Sequence, residues 1–246
     1  MSKRRLSKTK RTRQEREQDY LVNTKFGMKQ IKPMTANQRT LFDMYEQGKN
    51  ILAIGSAGTG KTYISLYLAL RDVMARNEYQ EIIIVRSSVQ SREQGHMPGN
   101  ANEKMANFEQ PYVDIVNDLF ERGDAYQIMK QKSMLRFMST SFVRGLTFDN
   151  ALIIVDECQN MNYGELKTIM TRVGKNSRIV LCGDTKQDDL TGSRHKADVS
   201  GLRDFKKVID RMGTECFGTI QFNTDDIVRS GIVKQYIIAE ESLELA

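Results

Sequence analysis

The sequence predicts an α/β fold with a mostly parallel central sheet and helices on both faces. Three observations support this. Apolar runs alternate with amphipathic segments over most of the 246 residues, the pattern of strands joined by crossover helices. Several of those runs, residues 82–85, 151–156 and 178–183 among them, are apolar almost throughout, as strands covered on both faces are. The first strand also runs directly into a glycine-rich turn and then a helical pattern.

The elements follow in order. Residues 35–47 read as a helix, with Thr35 as its cap and Leu41, Met44 and Tyr45 on one face. Strand 50–54 precedes the glycine-rich turn, helix 60–76 follows it, and residues 82–85 form the second strand. Residues 88–112, rich in Gly, Asn and Gln, read as a long loop or lid, a kind of segment that usually has a function. Next come helix 112–122, a short strand near 137–143, strand 151–156, helix 162–172 and strand 178–183. A Gly/Asp/Ser-rich loop runs to about 199, and then helix 200–212, strand 217–222, helix 224–231 and strand 234–239.

Composition narrows the class. A hydrophobic fraction of 39% suits one core, so residues 33–246 are expected to form a single domain, with Pro33 at its start. No stretch approaches the roughly 18 uncharged apolar residues of a membrane span. No apolar segment follows the N-terminal charges, so no secretory signal is expected. Cys158, Cys182 and Cys216 are too widely spaced for a zinc site or a disulfide framework, which fits a cytoplasmic setting. The net charge of +6 is unevenly spread: residues 1–16 hold eight basic residues against Glu15, a net +7 that leaves −1 for the rest. Residues 1–32 are therefore expected to be a basic, disordered tail attractive to nucleic-acid phosphates.

Residues 55–62 carry the chemistry. Gly55, Ser56, Ala57, Gly58, Thr59, Gly60, Lys61 and Thr62 fit G-x-x-x-x-G-K-[ST], the phosphate-binding loop. Glycines let the backbone curl so that its N–H groups face phosphate oxygens, and the following helix adds the positive end of its dipole. Lys61 offers a mobile cation for the β- and γ-phosphates, and Thr62 a hydroxyl for Mg²⁺. Strand 151–156 ends in Asp156-Glu157, at the sheet edge where ligands bind. Asp156 is placed to hold Mg²⁺, and Glu157 to orient and deprotonate a water. Strand 178–183 ends in Gly183-Asp184, with Gln187 three residues on, able to touch the γ-phosphate or the water; Gly-Asp is also ordinary turn chemistry.

Taken in order, G-x-x-x-x-G-K-T, D-E-x-Q-N and G-D-x-x-Q resemble superfamily 1 helicase motifs. The chain resembles the PhoH-family ATPases more closely. The likeness rests on residues 55–62, Met97-Pro98-Gly99, Glu103-Lys104, Pro111-Tyr112, the run Arg144 to Phe148, residues 153–160, Thr171-Arg172-Val173-Gly174, Gly183-Asp184 with Gln187, and Ser200-Gly201-Leu202. Cys158 stands where the family pattern leads us to expect Ala. The resemblance implies a RecA-like core, hydrolysis of ATP and a link to RNA. Some relatives add a PIN or KH-type segment; about 34 residues precede the core here, so ribonuclease activity in the same chain is not expected.

The resemblance also suggests further residues. Gln38 resembles the adenine-reading Gln of helicases, although Gln is also a common helix-surface residue. Arg229, in Asp225-Asp226-Ile227-Val228-Arg229, resembles a family segment and suggests an arginine finger; pairing with Asp225 or Asp226 is the alternative. With one RecA-like domain per chain, such a finger is expected to reach a neighbouring subunit in a hexameric ring, with Arg172 as second candidate. Arg86 and Ser87 follow the second strand, where superfamily 1 helicases contact single strands; Arg92, Lys104 and Arg144 extend that path. The expected activity is Mg²⁺-dependent ATP hydrolysis coupled to single-stranded nucleic acid, RNA favoured. The rivals are a nucleotide-controlled assembly switch and a P-loop kinase, whose economy a water-activating Glu157 would spoil.

Overall fold

The computed structural model describes residues 27–76, 79–87, 101–184 and 200–243. Six strands form one sheet: β1 (Asn50–Gly55), β2 (Glu81–Arg86), β3 (Leu135–Ser139), β4 (Ala151–Asp156), β5 (Arg178–Gly183) and β6 (Phe217–Phe222). Their order is β3-β2-β4-β5-β1-β6, and every neighbouring pair is parallel. Parallel neighbours need long crossovers, and the helices supply them. These are α1 (Ala36–Glu46), α2 (Lys61–Arg71), α3 (Ala101–Leu119), α4 (Ala125–Gln131), α5 (Tyr163–Met170), α6 (Leu202–Met212) and α7 (Gly231–Ser242). The parallel, two-faced RecA-like α/β class expected from the sequence is the one observed.

Alternate residues of each strand feed two cores. Ile51, Ala53, Ile82, Ile84, Leu152, Ile154 and Val180 meet α1, α2, α3 and α4 on one face. Leu52, Ile54, Ile83, Val85, Ile153, Val155 and Leu181 meet α5 and α6 on the other. This is why β1, β2, β4 and β5 read as unbroken apolar runs: neither face meets water. The parallel register brings the carboxyl ends together, with Arg86 opposite both Ser139 and Asp156, and Ile54 opposite Gly183.

Four elements differ from the expectation. Residues 101–111 are the first half of α3 rather than loop, and Pro111 lies inside that helix. The helical face of Tyr112, Ile115, Val116 and Leu119 is packed into or against the core, which outweighs the local cost of the proline, about 3 kcal/mol. The third strand starts at Leu135 and ends at Ser139, where a 3₁₀ turn (Thr140–Phe142) begins. Residues 224–231 are not a helix: a 3₁₀ turn (Thr224–Asp226) capped by Asn223 takes their start. The expected strand 234–239 is instead part of α7, which closes its own backbone hydrogen bonds, buries none of its residues and sets Ile237 beside the glycine-rich loop. Helix α4 has no counterpart in the expected elements, and α2 ends in a wider π-helical turn (Asp72–Arg76). Among the described residues no helix is long and apolar enough to cross a membrane.

Candidate functional site

Strand β1 ends at Gly55, whose φ of +129° and contact with the Phe222 backbone leave no room for a Cβ. The chain then curls through residues 56–60, and α2 begins at Lys61 with Gly60 in the left-handed region. The Lys61 ammonium donates to the carbonyls of Gly55 and Ser56, both at 2.7 Å, and to Thr59 Oγ1 at 3.2 Å. Burial lowers its pKa, while the carboxylates of Asp184, Glu157 and Asp156 act the other way.

Strand β5 separates β1 from β4, so the acids on β4 face the loop across one intervening strand. The Thr62 hydroxyl donates to Asp156 Oδ1 at 2.7 Å, and the Tyr112 hydroxyl donates to Asp156 Oδ2 at 2.8 Å. Glu157 leaves the strand with φ +51°, a conformation that turns its side chain away from the strand's line. Gln159 holds it there: its amide donates to Glu157 Oε2 at 2.6 Å and accepts the Asp184 N–H at 2.9 Å. Burial, then the neighbouring Asp156 charge, raises the Glu157 pKa, and the Gln159 bond partly opposes this. Cys158, in the Ala position, is buried and packs against Gly183, where a Cβ would meet its sulfur at 2.5 Å.

Thr59, Gly60, Lys61, Thr62, Asp156 and Glu157 line one cleft of about 730 Å³, together with Gln38, Ala57, Gly58, Ile115, Asp184, Val228 and Arg229. Gln38 is buried in its wall; its amide donates to the Thr59 carbonyl at 3.0 Å and accepts the Met34 N–H at 2.7 Å. It is therefore a brace for the loop, with one N–H and one acceptor lone pair beyond those bonds. Arg229 reaches the cleft of its own chain: a Cβ on Gly58 would lie 2.8 Å from Arg229 Cγ, and Val228 N–H donates to the Gly58 carbonyl at 3.1 Å. Its place does not require a neighbouring subunit. Asp226, its suggested ion partner, accepts from Asn37 at 2.6 Å and caps its own turn.

Arg86 lies at the carboxyl end of β2 over the Phe108 ring, 5.5 Å from its centroid, and the adjacent Ser87 is buried. Arg144 is exposed beyond β3. Arg172 does not line the cleft; it donates to the Leu146 carbonyl at 3.4 Å in the crossover before β4. Gln187, Arg92 and residues 1–26 lie outside the described residues, as does the side chain of Lys104. Sequence reasoning gave no role to Tyr112 or Gln159, although both stand in quoted motifs; only their hydrogen bonds reveal one.

A glycine-rich loop closing β1 of a parallel sheet, with acids on the second strand over, is the architecture of the P-loop nucleoside triphosphatases. A family model described as PhoH-like protein matches residues 30–241, and the chain belongs to that family. A PhoH-like protein of Bacillus subtilis (strain 168) is 29% identical over 212 residues, covering 86% of this chain and 64% of that protein. Protein PhoH of Escherichia coli (strain K12) is 31% identical over 196 residues, covering 79% and 53%. The chain spans about three-fifths of the length of such relatives. Among solved structures, the large terminase of a thermophilic bacteriophage in complex with ADP gives a TM-score of 0.48 at 12% identity, covering 83% of this chain and 49% of that one. The UvsW helicase of bacteriophage T4 gives 0.45 at 16%, covering 85% and 67%. Likenesses this distant say nothing about activity.

Proposed function

We propose that the chain is a Mg²⁺-dependent ATPase whose hydrolysis is coupled to binding or remodelling single-stranded nucleic acid, RNA in preference to DNA. The observation that carries this is the Thr62–Asp156 hydrogen bond at 2.7 Å in a cleft that Lys61 and Glu157 also line. The nucleotide's phosphates lie against the backbone amides of residues 55–62, with Lys61 as their cation. Gln38 supports that loop and offers its spare amide groups to the base.

Thr62 and Asp156 suit Mg²⁺, since both present hard oxygen donors and already touch at 2.7 Å. When bound, the ion supplies charge neutralisation for the phosphate oxygens. Glu157, oriented by Gln159, accepts the proton of the attacking water. Gln187 senses the γ-phosphate, and Arg229 adds positive charge where the transferring group becomes most negative.

On this reading Arg86 and Ser87 contact the nucleic-acid backbone at the same sheet edge, extended by Arg92, Lys104, Arg144 and the basic residues 1–16. Strand unwinding by one such domain needs assembly, in our reading a hexameric ring in the cytoplasm. The exposed apolar residues Ile232, Tyr236 and Leu243 on and after α7 favour assembly, and equally favour the second reading, a nucleotide-controlled assembly switch. Phosphate release, measured with and without single-stranded RNA or DNA, separates the two. Stimulation by RNA above DNA supports the coupled ATPase; hydrolysis indifferent to both, with nucleotide-dependent sedimentation, supports the switch.

A further inference from the structure

Tyr112 has no part in the chemistry just described, yet its surroundings are those of a working group. It lies midway along α3, fully buried, with its ring 5.5 Å from that of Phe137 on β3. Its hydroxyl is the second donor to the Asp156 carboxylate, at 2.8 Å on Oδ2, while Thr62 occupies Oδ1 at 2.7 Å. The two oxygens of one carboxylate are thus held from two different helices. The terminal torsion of an Asp side chain is soft and roughly two-fold, so a carboxylate held at one oxygen can still swing. A donor on each oxygen removes that freedom, and each oxygen keeps a lone pair for a cation.

We propose that Tyr112 is a positioning residue whose hydroxyl fixes Asp156 in the orientation that receives a divalent cation together with Thr62. This rests on the ATPase reading of the same cleft. It makes α3 part of the metal site through a hydroxyl one bond removed from the cation. Groups of this kind, one bond removed from the metal, commonly change metal affinity by roughly 10–100-fold.

Tyr126 provides a control. It too is fully buried, and its hydroxyl donates to a carboxylate, Glu109 of α3, at 2.7 Å, but that carboxylate, unlike Asp156, does not line the cleft. A merely structural tyrosine would behave like Tyr126. The test is binding of a fluorescent ADP analogue to the full chain, titrated with Mg²⁺ and repeated with chelator. Tyr112→Phe keeps the ring and removes only the hydroxyl. It is expected to raise the half-saturating Mg²⁺ roughly tenfold, to leave chelator-treated binding unchanged, and to differ from Tyr126→Phe, which moves neither.

Superimposable Mg²⁺ curves for Tyr112→Phe and wild type overturn the proposal, as does an equal shift in Tyr126→Phe. If Tyr112→Phe does not fold, Phe137→Leu loosens the seat of the ring and leaves the hydroxyl in place. A rise of about threefold in half-saturating Mg²⁺ then supports the proposal, and no rise overturns it. Wild-type binding that ignores Mg²⁺ altogether overturns the ATPase reading and this inference with it. Mg²⁺-dependent wild-type binding with no effect at Tyr112 overturns this inference alone.

Discussion

Charge is buried at both ends of the parallel sheet, and the two ends use it differently. At the amino end, Arg178 opens β5 and donates to the carbonyls of Tyr45 and Lys49, both at 2.9 Å, with its guanidinium 4.1 Å from the centroid of the Tyr45 ring. Those carbonyls lie at and just beyond the C-terminal turn of α1, whose dipole favours a cation; the Tyr45 carbonyl also accepts the Gly48 N–H at 3.0 Å. Arg178 is thus held by the backbone of the fold itself through one nitrogen, while its buried Nε–H has no partner. At the carboxyl end, Lys61, Asp156 and Glu157 are also held by hydrogen bonds, but all three border the 730 Å³ cleft. Arg178 borders a cavity too, of about 470 Å³, so a cavity alone does not mark a site: a buried charge points to chemistry where the space beside it also gathers a glycine-rich loop, a hydroxyl and an acid pair.

This contrast can be tested from either end. The largest effect is expected from Lys61→Ala, which removes the cation at the phosphates: hydrolysis falls by at least about 10³-fold, while the melting temperature stays near that of wild type. A matching loss of stability would make Lys61 a scaffold charge like Arg178. Arg178→Met should do the reverse, costing about 2 kcal/mol in denaturant unfolding because the Lys49 carbonyl and the Tyr45 ring lose the guanidinium, while the Tyr45 carbonyl keeps the Gly48 N–H, with nucleotide affinity unchanged. A weakened affinity would show that the two ends communicate.

The smallest effect belongs to an exposed charge at neither end. Asp118 accepts from Lys29 at 2.8 Å and from Tyr63 at 2.7 Å, and these bonds hold its pKa below the ordinary value. A depressed carboxylate stabilises the fold above its unfolded pKa, and that stabilisation is lost as pH falls through the folded value. Asp118→Asn should therefore lower the melting temperature by roughly 1–2 °C at neutral pH and leave it unchanged in strong acid. An equal loss at both pH values would assign the effect to packing.

The same contrast explains what the sequence made legible. Strands β1, β4 and β5 were legible because both faces are covered, and the loop and the acid pair because their spacing is fixed by backbone geometry. Lys61 stood out from Arg178 through its glycines, since both are basic residues beside an apolar strand. The first half of α3 was obscured by Asn102, Asn107 and Pro111, whose local preferences are overruled by the packing of the helix's second half on the core. Helix α7 was obscured by β-branched Ile232, Val233, Ile237 and Ile238, whose short apolar run suits a strand as well as a helix. Tyr112 and Gln159 were visible as letters, but their roles depend on contacts with Asp156, Glu157 and Asp184 that no spacing rule supplies.

The most direct test of the carboxyl-end site is phosphate release from ATP and Mg²⁺ alone, with no acceptor added, for wild type and Glu157→Gln, alongside the nucleotide affinity of each. The account predicts hydrolysis by wild type, a fall of about 10²–10⁴-fold in the variant, and affinity preserved within a few-fold. Equal rates in the two proteins would remove Glu157 from the chemistry and contradict the account.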